Sequence, residues 1–143
     1  MAQLNLHHGK GLAITIGADA EVREFTARAT ITAGQWVALD AAGQTNEERV
    51  DSVIVGVATG LTIGVALEAA TSGNTVRVCV AGYVEGARTN DSVANAGDTL
   101  VGIAGGLVGK GAPTNVKTAV GIALEVDAGS DPYTADVYVF RRF

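Results

Sequence analysis

One short motif occurs twice in this chain and restricts its fold more than anything else in it. Ile63-Gly64-Val65-Ala66-Leu67-Glu68 is echoed by Val120-Gly121-Ile122-Ala123-Leu124-Glu125. Upstream, Ala33-Gly34-Gln35-Trp36-Val37-Ala38-Leu39 is echoed by Ala96-Gly97-Asp98-Thr99-Leu100-Val101-Gly102. The upstream pair is offset by 63 residues and the downstream pair by 57, so the order holds with six extra residues in the first copy. Those residues are assigned to Gln44 to Asp51, a polar run read as a loop. After each Glu comes a small polar turn and then an alternating strand, Thr75 to Val80 in one copy and Ala135 to Phe140 in the other. A glycine inside such a strand permits a bulge or the close approach of a second backbone. Two copies are too few for a solenoid, which needs about three repeats to bury a continuous core. The expectation is an all-β fold: a compact β-barrel or sandwich with two pseudo-repeated strand–turn–strand units.

The 143 residues suit one domain. With 48% hydrophobic residues and 19 glycines the chain is too apolar for disorder and too glycine-rich for a helical bundle. Residues 1–19 differ from the rest and are expected to form an extended N-terminal arm with one short β segment at Leu12 to Ile16. Residues 20–143 are expected to form the β-rich domain. Glu21 to Ile31 reads as a strand, because Thr26, Thr30 and Ile31 outweigh a helical alternative over 20–29. Gln35 to Leu39 reads as a short strand.

Catalytic machinery is not recognisable, and no metal site or cofactor is expected. His7 and His8 would point to opposite faces of a strand, so they cannot grip one metal together. Glu68 and Glu125 are equivalent carboxylates of the two copies; a glycosidase needs two facing one cleft, whereas symmetry-related strand ends face apart. They are read as turn hydrogen bonds or solvated ends. Gly102 to Gly111 lacks the phosphate-loop form, since Gly111 follows Lys110 where Ser or Thr is required, and reads as a glycine loop between strands. Cys79, the single cysteine, is read as a small buried apolar side chain. Trp36, the single tryptophan, is either core or an interface anchor. The net charge of −5 and scattered cations disfavour nucleic acid. No signal peptide or membrane-length apolar run is seen, so a soluble protein made in the cytoplasm is expected.

Ala33-Gly34-Gln35-Trp36-Val37-Ala38-Leu39-Asp40, followed by Gly64-Val65-Ala66-Leu67-Glu68-Ala69-Ala70, a turn, and Val76-Arg77-Val78-Cys79-Val80-Ala81-Gly82-Tyr83-Val84, resembles the capsid decoration (cement) proteins of tailed bacteriophages. The resemblance covers about residues 30–140, more loosely in the second copy. It implies a β-rich, non-enzymatic virion protein on the outer capsid surface. Its implied partner is the major capsid protein, bridged by a homotrimer at three-fold or quasi-three-fold positions, with an arm that orders on the shell. An arm of this kind could bind by adding a strand to a sheet edge. The residues expected to carry capsid or intersubunit contact are Leu4, Leu6, Leu12, Ile14 and Ile16 on the arm, together with Trp36. The competing expectations are another virion component, such as a tail tube or fibre base, and a carbohydrate-binding β-module. Only seven aromatics are available for a sugar platform.

Overall fold

The computed structural model describes residues 6–7, 12–42, 45–58, 61–111 and 119–141. In chain order the elements are β1 (Leu6–His7), β2 (Ile16–Gly17), β3 (Glu21–Ala27), β4 (Trp36–Leu39), α1 (Asn46–Asp51), β5 (Ser52–Val55), β6 (Thr62–Ala66), β7 (Thr75–Arg88), β8 (Thr99–Ile103), β9 (Leu107–Lys110), β10 (Ala119–Ala123) and β11 (Thr134–Val139). The protein is all-β. Glu21 to Ala27 is a strand with no helix in that stretch, but it is shorter than the expected Glu21 to Ile31: Thr30 lies outside it and Ile31 makes only an isolated bridge to Ala70.

Strand pairing makes the first unit a closed ring. β3 pairs with β5, β5 with β4, β4 with β6, β6 with the first half of β7, and β7 back with β3. Closure leaves no free end to this sheet, so the barrel alternative, not the sandwich, is the one adopted. The second unit repeats the ring strand for strand. The second half of β7 pairs with β11, β11 with β10, β10 with β8 and β8 with β9. A parallel bridge, Thr89 to Val108, then joins β9 to the end of β7. It is the counterpart of the parallel β3–β5 contact Ala27 to Val53 in the first barrel. The long strand β7 is therefore the last strand of one barrel and the first of the next.

Pairing registers fix the correspondence of the copies. Val78 opposite Ala66 matches Val137 opposite Ala123. The final strands are thus related by 59 residues, one less than the sequence alignment of Thr75 to Val80 with Ala135 to Phe140 implies. The extra residues of the first copy do fall between β4 and β5, but they form α1 instead of a loop. Thr45 and Glu48 close a capping box at its start, which satisfies two of the amide groups a helix leaves unpaired. Gly102 to Lys110 is also ordered differently from the expected loop: β8 and β9 form a tight hairpin over it.

The motif glycines have one physical cause in both copies. A Cβ on Gly64 would lie 2.1 Å from the Cys79 carbonyl oxygen, and one on Gly121 would lie 2.5 Å from that of Tyr138. Cys79 and Tyr138 are equivalent positions on the neighbouring strand. The motif glutamates are equivalent too. Glu68 accepts the Arg77 backbone N–H at 3.0 Å, and Glu125 accepts that of Asp136 at 3.0 Å. Of the two expected readings, turn hydrogen bonds or solvated ends, both glutamates make hydrogen bonds, to an N–H of the neighbouring strand.

Two clusters of buried side chains result. The first, inside the first barrel, holds Phe25, Ile31, Val37, Val53, Ile63 and Val78 among others. The second fills the other barrel with Leu100, Val108, Val120, Val137 and Val139, and also takes in Trp36, Val65, Leu67 and Cys79 from the outer side of the first barrel. No described helix is long and apolar enough to cross a membrane.

Candidate interaction surface

The residues singled out on the arm and at Trp36 separate into three groups. Leu4 lies outside the described residues. Leu6 is in β1, whose backbone pairs with β2 opposite Gly17. Leu12 and Ile14 are partly buried against the second cluster, and Ile16, 3% exposed, belongs to it. Pairing explains why: Ile16 sits opposite Val84 of β7, and the Glu85 N–H donates to the Thr15 carbonyl at 3.0 Å. Trp36 is fully buried. Its backbone N–H donates to Gly106 O at 2.8 Å, and its ring edge lies against Gly121 of the second barrel. Ile16 and Trp36 thus join the two barrels of this chain to each other.

Cys79 is buried, and the loss of solvent pushes its thiol up to about 11. A thiol so far from ionisation is a poor nucleophile at neutral pH. Among the described residues no group of three or more His, Cys, Asp or Glu side chains is placed to hold a metal. Glu68 is engaged by the Arg77 guanidinium at 2.6 Å, and that hydrogen bond holds its carboxyl below the usual range. Glu125 is exposed beside Asp136.

An exposed apolar area lies on the second barrel. Along β11 the odd positions, Ala135, Val137 and Val139, enter the core, so Tyr138 and Phe140 point out, at 49% and 36% exposure. Next to them on β10 and beyond it are half-buried Ile122 and exposed Leu124. Tyr83 lies across from Tyr138 on β7. One cross-strand row therefore reads Thr99, Ile122, Tyr138, Tyr83. Its counterpart on the first barrel reads Trp36, Val65, Cys79, Val22. Bulk at the first and third positions of the row has been exchanged: Trp36 and Cys79 in one copy, Thr99 and Tyr138 in the other.

The rim of this face is acidic. The Tyr83 hydroxyl lies 3.1 Å from both Glu85 Oε1 and Asp136 Oδ2, and Asp136 also accepts the Gly86 N–H at 3.0 Å. Burial, followed by the Asp136 charge, pushes the Tyr83 phenol well up, so it stays a donor. Sequence reading missed this face. The signal was present in Ala135-Asp136-Val137-Tyr138-Val139-Phe140, where apolar side chains occupy both faces of the strand instead of one.

A further feature lies on the first barrel. No described strand pairs with the outer edge of β3 from Glu21 to Phe25, because the β3–β5 contact starts at Thr26. A groove runs along that edge, lined by Arg23, Glu24, Phe25, Leu39, Val50 and Asp51.

The architecture is that of an all-β double barrel built by duplication around a shared strand. The sequence matches no protein-family model and no curated protein. Among solved structures, the chain is similar to the N base of the head fibre protein gp8.5 of bacteriophage phi29. The TM-score is 0.50 at 16% identity, over 85% of this chain and 95% of that one. At that identity the likeness is one of fold.

Proposed function

We propose that this chain is a non-enzymatic structural protein of a phage virion, bound to the outer surface of the head and bridging major capsid subunits. The observation that carries the reading is the shared fold with a phage head fibre base over 85% of the chain. The decoration-protein pattern at 33–40 and 64–84 supports it independently from sequence. A buried, protonated thiol and paired or rim carboxylates are also what a binding protein, without a reacting centre, presents.

Capsid contact is assigned to the arm at Leu4 and Leu6, because Leu12, Ile14, Ile16 and Trp36 are spent on the chain's own packing. Bridging many sites of a lattice adds avidity to a modest single contact. A second reading, a base that carries a fibre, is favoured by the identity of the structural neighbour alone.

Cosedimentation with purified capsids tests the proposal. Binding to expanded shells, with less release of capsid subunits on heating, is the expected result. Removal of residues 1–11 should lower occupancy while leaving β2 and the barrels intact. Full-length protein that ignores both expanded and unexpanded shells would refute head binding. Binding without any gain in shell stability would favour the fibre-base reading.

A further inference from the structure

We propose that the open outer edge of β3 is a strand-accepting site, along which a different protein lays an extended aliphatic segment antiparallel to β3. This goes beyond the capsid reading and does not depend on it.

Both barrels have a gap in the wall at the same place. Their first and third strands meet only at one end, β3 and β5 at Thr26 and Ala27, β7 and β9 at Thr89. In the first barrel the residues before Ser52 are coiled into α1, so β5 does not follow β3 further.

The second gap is filled from within the chain. Val84 of β7 is the register equivalent of Arg23, since Val137 lies opposite the one and Val78 opposite the other. One edge of Val84 is held by β11; on the other, Ile16 of β2 faces it in antiparallel pairing, and the Glu85 N–H donates to the Thr15 carbonyl at 3.0 Å. The Ile16 side chain is buried and belongs to the second core cluster. A short extended segment, Ile14-Thr15-Ile16-Gly17, thus completes the wall of the second barrel.

The first gap has the same form, and no described strand fills it. The Ala27 N–H donates to Asn74 on the β7 side and the Arg28 N–H to Val53 on the β5 side, both at 2.8 Å. Strand alternation therefore turns the N–H and C=O groups of Val22 and Glu24 toward the gap. An edge with its ladder groups open is a template for another strand. The groove beside it measures about 610 Å³, within the range of about 300–1,000 Å³ of pockets that enclose a ligand. Buried Phe25 and half-buried Leu39 line it with exposed Val50. Arg23, Glu24 and Asp51 make its charge mixed, so apolar fit, as at Ile16, selects the occupant.

The source of the strand follows from what the chain has already used. Among the described residues its own segments of this kind are paired, β2 with β7 and β1 with β2. A second copy would have to give up one of those pairings to fill the groove, whereas a different protein would not.

Amide hydrogen exchange read by nuclear magnetic resonance on the full chain, without capsids, tests this. The probe is a synthetic peptide of residues 12–19, which includes the segment that fills the second gap. In the free chain the Val22 and Glu24 amides should exchange fast and the Glu85 amide slowly. Millimolar peptide should slow Val22 and Glu24 and leave Glu85 unchanged, and the same peptide carrying Ile16→Asp should have no effect. Glu24→Pro removes an N–H that no described strand uses, a place where an edge strand tolerates proline. Val50→Asp charges the groove at a position 58% exposed, so the fold should persist. Each should weaken the peptide about tenfold or more, through the lost ladder bond or the charge set against an apolar strand. Slow exchange at Val22 and Glu24 in the free chain would mean that this chain or a second copy already covers the edge, and would overturn the proposal. So would a peptide effect at Glu85 alone, no effect at any of the three amides, or unchanged peptide binding by the folded variants.

Discussion

Replacing the motif glycines by alanine should weaken the protein in an order set by geometry. At Gly64 the new Cβ would stand 2.1 Å from a backbone oxygen, 2.9 Å from its carbon and 2.9 Å from Val78 Cγ1. Opening that contact to about 3.3 Å, the near limit of carbon–oxygen contacts in sheets, moves a carbonyl by roughly 1 Å. The carbonyl belongs to β7, which is held on both sides in a closed ring, so the shift cannot be absorbed at an edge. Losing one ladder hydrogen bond costs about 1 kcal/mol net, and overpacking strain adds about 1–3 kcal/mol. Gly64→Ala should therefore cost about 3–4 kcal/mol, or about 10 °C in Tm for a chain of this size. At Gly121 the equivalent distance is 2.5 Å, and the cost should be about 2–3 kcal/mol by the same reasoning. Two other glycines serve as controls. Gly73 has φ +94° with nothing within 4 Å of a Cβ, so alanine there should cost only the left-handed backbone penalty of about 1 kcal/mol. Gly129 has open space and an unexceptional φ, so alanine should be neutral or stabilising by up to about 0.5 kcal/mol. Urea unfolding at unchanged slope measures all four. If Gly64→Ala and Gly121→Ala fall within about 0.5 kcal/mol of Gly129→Ala, the common error of such comparisons, the close-approach account of the motif is wrong.

Three other outcomes follow from the same geometry. Trp36→Ala should cost about 3–5 kcal/mol, as for other buried aromatics. Trp36→Phe should cost clearly less in the same urea assay, because the Trp36 Nε1–H is buried without a partner. Cys79 should resist a thiol reagent at pH 8 and react only on denaturation, since its thiol is held up at about 11; rapid labelling of native protein would contradict its burial. The Glu68–Arg77 pair should add stability above the ordinary glutamate value of 4.5 and lose it as pH falls through the lowered folded value, so the stability of Glu68→Gln, followed by urea midpoints from pH 6 to pH 2, should fall less with acid than that of wild type.

The duplication was legible because its two glycines and two glutamates each answer a strict local demand: a carbonyl passing too close for a Cβ, and an amide at a strand end. The shared strand was not legible. Gly82 and Gly86 look like breaks after Val80, yet both take positive φ, +112° and +74°, and let β7 run on to Arg88. Gly82 also lets the Ala20 backbone pass, since a Cβ there would lie 2.8 Å from the Ala20 Cα. Helix α1 escaped notice for a different reason. Its capping box is written in Thr45 and Glu48, but six residues carry no apolar periodicity to read. At the interaction surface the sequence pointed to apolar arm residues and to Trp36, whereas folding consumes several of them. Hydrophobicity alone does not tell an internal joint from an external one; only the completed fold shows which apolar faces remain uncovered.

The exchange of bulk between the copies bears on why those uncovered faces differ. In the first barrel the large member of the row, Trp36, lies on β4 and reaches into the neighbouring barrel, while the β7 position holds the small Cys79. In the second barrel the β8 position has shrunk to Thr99 and the β11 position has grown to Tyr138. A tryptophan at 99 with a cysteine at 138 would reproduce the buried joint of the first barrel. A tyrosine at 138 instead offers a rigid amphipathic ring that tolerates water on its exposed side and yields a large contact area when covered. The second face therefore has what an intermittently covered surface requires, an anchor that is soluble when free, whereas the first has what a permanent joint requires, a tryptophan buried out of solvent. The same duplication thus places a buried joint at the centre of the molecule and, at the equivalent position of the second barrel, an uncovered face.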